Sequence, residues 1–116
     1  MHLTTARFMK KLEQMKELHL AKSADYGTTE DPFANIRNSA AHVDIEAWRG
    51  CLLRVQDKMQ RLHSYCIHGK LTCEGVTDTF LDAAAYLLIC SVLHDEENGD
   101  VDNSWSASGS TPAQGK

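Results

Sequence analysis

Several familiar chemical signatures are missing from this chain. None of its four cysteines forms a C-x-x-C pair, and there is no H-x-x-x-H, no G-x-S-x-G and no glycine-rich phosphate loop. Without paired thiols or paired imidazoles, zinc fingers and thioredoxin-like sites are poor readings. Cys51, Cys66, Cys73 and Cys90 therefore read as reduced, mostly buried thiols. Without a nucleophile elbow or a P-loop, serine-hydrolase and Walker-type chemistry drop out as well. Basic charge is scarce: 12 Lys and Arg against 16 Asp and Glu give a net charge of −4. That balance argues against nonspecific nucleic-acid binding, although a local Arg and Lys cluster can still hold a small anion. No apolar run reads as a membrane span, and MHLTTARFMKK lacks a signal-peptide core. A cytoplasmic protein with no membrane partner is expected. There is also no internal repeat and no alternating stretch that would make a strand.

What remains is helical periodicity. At 116 residues the chain has room for one core. A first helix is predicted over 3–23, capped by Thr4 or Thr5, with Phe8, Leu12, Met15 and His19 at helical spacing. Gly27 is suited to stop it, and Asp31-Pro32 to start a short helix near 32–42. Asp44 is the expected cap of a third helix that runs to His68 and stops at Gly69. Its predicted core stripe is Ile45, Trp48, Leu52, Val55, Met59, Leu62 and Cys66. Thr77 should cap a fourth helix over 78–96, which Gly99 ends. Its apolar middle, AAAYLLICSVL, should make it the most buried. The expected architecture is an all-α bundle of three long helices and one short one over residues 1–97. A polar tail over 98–116, disordered or loosely docked, has Trp105 as its anchor.

Two helices carry charge in patterns with more than one reading. Arg54, Asp57 and Arg61 share one face of the third helix with Lys58 beside them. They form either a solvated face laced with ion pairs or a cluster of cations converging on phosphates. Asp78 and Asp82 lie four apart on the fourth helix. Asp78 suits the helix dipole, whereas Asp82, next to the most apolar segment, needs a partner: Arg or Lys from the third helix, or a divalent cation. Glu13 and Glu17, with Lys10 and Lys16 nearby, read as a solvated face.

Four motifs, K-x-x-D-Y-G (Lys22 to Gly27), D-P-F-x-N (Asp31 to Asn35), R-x-x-D-K-x-x-R (Arg54 to Arg61) and D-x-x-x-D-x-x-x-Y (Asp78 to Tyr86), together resemble a phage-encoded helical family, the nucleotide modification associated domains. That family is similar at long range to the all-α nucleoside triphosphate pyrophosphohydrolases of the MazG type. The resemblance covers roughly residues 10–92. It implies a metal site of Asp57, Asp78 and Asp82 holding Mg²⁺. It also implies a nucleotide site of Lys22, Asp25, Tyr26, Phe33, Asn35, Arg54, Lys58 and Arg61. The chain departs from the pyrophosphohydrolases where they place several acids, because here stand Arg54, Lys58 and Arg61, leaving Asp57 alone on that helix. Fewer carboxylates hold magnesium less firmly. Two functions follow. One is Mg²⁺-dependent cleavage or modification of a (deoxy)nucleoside triphosphate. The other is non-catalytic sequestration of a nucleotide or cyclic nucleotide messenger of host antiphage defence. In either case a homo-oligomer is expected, located in the cytoplasm of the infected bacterium if the protein is phage-encoded.

Overall fold

The computed structural model describes residues 1–26, 33–72 and 74–99, with the side chains of 23–26 set aside. Four helices make an all-α bundle: α1 (Leu3–Tyr26), α2 (Ala34–His42), α3 (Ala47–His68) and α4 (Val76–Glu97). Three are long and one is short, and no strand occurs among the described residues. The roles expected of Gly27, Asp31-Pro32, Cys73 and the tail beyond Gly99 fall outside the described residues.

The helix ends show where local signals compete with distant ones. The α1 start is satisfied by His2, whose Nδ1 accepts from the Thr4 amide at 3.0 Å, and not by a threonine side chain. Asp44 does not cap α3. It sits at φ 58° in the turn after α2, a left-handed conformation that Asp tolerates better than most residues. The Ile45 amide then bonds back to the Ala40 carbonyl at 3.1 Å. Glu46 occupies the cap position of α3 but makes no side-chain cap bond. The cap comes instead from the far end of the fold: Glu97 accepts from the Ala47 amide at 3.0 Å and the Trp48 amide at 3.2 Å. A carboxylate there meets both the open amides and the positive end of the helix dipole.

Gly69 ends α3 at φ 75°, its amide bonded to the Tyr65 carbonyl, and Gly99 follows α4 at the same φ. Thr77 lies inside α4, whose cap position is Gly75. Thr79 ties that end down, its hydroxyl bonded to the Gly75 carbonyl and to Glu74.

The core is Ile36 and Ala40 of α2, Ala47, Cys51 and Val55 of α3, and Cys90 and Leu93 of α4, closed over by Phe33, Ile45, Trp48, Tyr86 and Ile89. Small residues set the helix spacing. A Cβ on Gly50 would stand 3.0 Å from the Ala40 Cβ, so glycine is what lets α2 approach α3 so closely. The same economy of size rotates α3 from its expected stripe. Ala47 and Cys51 turn inward alongside Val55, while Leu52 is 39% exposed and Met59 48%. Cys51 and Cys90 are buried as expected, but Cys66 is exposed, and all three are free thiols.

The fourth helix is apolar on two sides. Thr79, Leu81, Ala83, Cys90 and Leu93 are buried, yet Phe80, Leu87, Leu88 and Val92 stand exposed on the other side. By length and composition α4 could cross a membrane, contrary to the expectation that no such run exists. Its inward side carries the charged Asp82, paired to two lysines, so in this fold α4 serves as a bundle helix.

Candidate functional site

A cleft of about 390 Å³ lies between the second half of α1, the start of α2, the middle of α3 and one side of α4. Its floor is apolar: Ile36, Leu81, Ala85 and Ile89, with Met15 and Leu18 from α1. The volume falls within the ~300–1,000 Å³ of small-molecule clefts. Six residues expected at a nucleotide or metal site line it: Lys22, Phe33, Asn35, Arg54, Lys58 and Asp82. Tyr86 of the fourth motif also faces it. Among the described residues the lining carries three cations, Lys22, Arg54 and Lys58, against the carboxylate of Asp82. In an acidic protein the described lining is thus locally positive, and low-dielectric walls focus such a field.

Asp82 organises the cations. Its Oδ1 accepts from Lys22 Nζ at 2.8 Å, and its Oδ2 lies 3.1 Å from Lys58 Nζ. Burial alone would raise the Asp82 pKa, but hydrogen bonds and charge from Lys22 and Lys58 outweigh it and hold the carboxyl below its ordinary value. Lys58 is desolvated as well, yet Asp82 and Glu74 outweigh burial and hold its pKa above the usual lysine value. Both groups are thus charged at neutral pH. Arg54 differs from the two lysines: its exposed guanidinium makes no hydrogen bond or ion pair with any described residue. Neither does the Asn35 amide nor the Tyr86 hydroxyl. On one wall the His19 and Phe33 rings pack with centroids 5.7 Å apart, tilted by 42°.

Glu74, in the connection between the third and fourth helices and assigned no role from the sequence, is the second anchor. It accepts from Lys58 at 3.2 Å, from Arg61 at 3.1 Å and from Thr79, and these contacts lower its pKa, the Thr79 hydrogen bond foremost. An acid two residues before a helix, facing a basic helix face, was the available signal. His19 was likewise read only as one of four first-helix residues at helical spacing.

The remaining site expectations separate. Arg61 does not line the cleft; its guanidinium is bound by Glu74 and, at 3.5 Å, by Asp57. Asp57 is an exposed surface residue in that i,i+4 pair, the bland alternative for this face. Asp78 is exposed in the first turn of α4, where it suits the dipole. Asp82 has ammonium partners on both oxygens. Among the described residues no group of three or more His, Cys, Asp or Glu is placed to hold a metal ion. The side chains of Asp25 and Tyr26 fall outside the described residues. Compared with known proteins, the chain matches no family model, and no curated protein or solved structure is significantly similar to it.

Proposed function

We propose that the cleft binds a small anionic ligand, and that within this class the ligand is a nucleotide held without catalysis. The observation that carries the reading is an arginine with no partner among the described residues, beside two lysines that share one carboxylate, all on the rim of an apolar cleft. Arg54 can take a phosphate through two parallel N–H donors. Lys22 and Lys58 contribute charge, and Asp82 is the counter-charge that holds the two ammoniums side by side on the cleft. The His19–Phe33 wall offers a flat apolar surface for a base, and the Asn35 amide can both donate to and accept from a base edge.

No described group is arranged as a protein nucleophile, and the carboxylate nearest the phosphate position neutralises lysines. Sequestration therefore fits these residues better than hydrolysis does. The test is incubation with nucleoside mono- and triphosphates and cyclic dinucleotides, with Mg²⁺ or EDTA, followed by calorimetry and mass spectrometry of what heat denaturation releases. Intact nucleotide, retained in EDTA and lost by at least about tenfold in affinity in Arg54→Ala, is expected. Mg²⁺-dependent release of diphosphate would overturn the reading in favour of a pyrophosphohydrolase. No retention of any anion would remove it altogether.

A further inference from the structure

A single chain leaves two apolar faces uncovered. The first is on α1, where every residue from 1 to 14 is exposed. Phe8, Leu12, Met15, His19 and Lys22 form one stripe at steps of four and three, and only its second half reaches the cleft. The first half projects with Leu3 62%, Phe8 59%, Met9 51% and Leu12 38% exposed. A helical segment that short, with no described residue packed against it, is marginal in water. The second face is the outer side of α4, where Phe80, Leu87, Leu88 and Val92 are 44% to 57% exposed, opposite the side that packs on α3. An outer stripe of this kind is expected on a helix that has a second partner.

We infer that each face is covered by the other in a second copy of the chain. The N-terminal half of α1 from one copy lies along the outer side of α4 of its partner, and the exchange is reciprocal about a two-fold axis. Two observations favour this occupant. Their charges are complementary. Before Met15, α1 carries Arg7, Lys10 and Lys11 against Glu13 alone, whereas α4 has no Lys or Arg and keeps Asp78 and Asp95 clear of the lysine, arginine and amide partners that hold Asp82, Glu96 and Glu97. The area is also sufficient. The seven half-exposed side chains that share these faces, Leu3 lying off the stripe, leave roughly 500–700 Å² per copy, approaching the ~800 Å² per partner of a stable interface. The inference does not depend on what the cleft binds.

Sedimentation velocity of the full chain under reducing conditions tests it. A dimer is expected at low micromolar concentration. Phe8→Glu and Leu88→Lys should each weaken it by about 30-fold or more while circular dichroism still reports a folded bundle. An equimolar mixture of the two variants should regain the dimer. The mixed pair keeps one native contact and sets the carboxylate introduced in one copy against the ammonium introduced in the other. A wild-type chain that is monomeric at about 100 μM would overturn the inference. So would variants that dimerise unchanged, or a mixture that stays monomeric. A monomer that floats with anionic phosphatidylglycerol vesicles would overturn it too, assigning the outer side of α4 to a lipid surface instead.

Discussion

Replacing Asp82 by asparagine moves two quantities in opposite directions. The carboxylate sits between Lys22 and Lys58, with Lys58 only 13% and Asp82 15% exposed. Removing one partner of a well-buried ion pair costs ~3–5 kcal/mol when the other charge is stranded. Here Lys58 keeps Glu74, and Lys22 is 48% exposed, so the cost falls to about 1–2 kcal/mol. For a domain of this size that lowers the thermal midpoint by roughly 3–10 °C. Anion affinity should rise. A phosphate on the open side of Lys58 would stand ~6 Å from the carboxylate that holds the ammonium from its other side. At an effective dielectric of ~20 that repulsion is ~3 kcal/mol, with solvent exposure reducing it toward 1. The Asp82→Asn protein should therefore bind nucleotide about 5- to 100-fold more tightly than wild type, by titration calorimetry at about 15 °C where both proteins are folded. The gain should shrink with added salt. Weaker binding by a fully folded Asp82→Asn protein would refute the reasoning, because it would make the carboxylate a ligand contact or a cation ligand rather than a counter-charge.

Three further outcomes follow from the same geometry. Glu97→Ala opens the first amides of α3 and should cost about 1–2 kcal/mol in urea unfolding, with Glu97→Gln recovering part of it; no change in either would show that water replaces the cap without loss. Gly50→Leu drives a side chain into Ala40 and should destabilise by about 1–3 kcal/mol despite the better helix propensity of leucine, as read from the same curves. The Lys58, Glu74 and Asp82 cluster gives stability a plateau in pH. Asp82 and Glu74 have folded pKa values below their ordinary 3.8 and 4.5, so their contribution is complete above about 4.5 and is lost as pH falls through the lowered values. Lys58 is raised above 10.5, so its contribution is complete below that pH and is lost as pH rises through the raised value. Lys58→Met should flatten both limbs, and unchanged limbs would show that other groups set them.

Periodicity carried the helices well, because residues three and four apart share a face whatever the rest of the chain does. It placed four helices, the Gly69 and Gly99 stops and the grouping of Arg54 with Lys58. It could not say which helix opposes which face. Asp57 and Asp82 were grouped as metal ligands by the resemblance, yet one points to solvent and the other to two lysines on different helices, one of them the third-helix partner its apolar setting called for. Glu74 and Glu97 escaped notice for the same reason, since both act on helices remote from their own position. Asp44 was misread because Asp serves a helix cap and a left-handed turn equally well, and only the Ile45 to Ala40 bond selects the turn. The α3 stripe was displaced because periodicity weights large side chains, whereas close helix packing here selects Ala47, Gly50 and Cys51.

The carboxylate of Glu97 at the start of α3 has a bearing on how the chain comes to be folded. During synthesis α3 leaves the ribosome with its first amides open, and the group that closes them is made fifty residues later. Until then the helix can fray from that end, and α2, which packs through Ala40 against Gly50, has only an unanchored surface to settle on. Completion of α4 therefore locks the middle of the chain in one late event. Truncation before residue 97 should leave a nascent chain that is helical in patches but slow to protect its α3 amides from exchange.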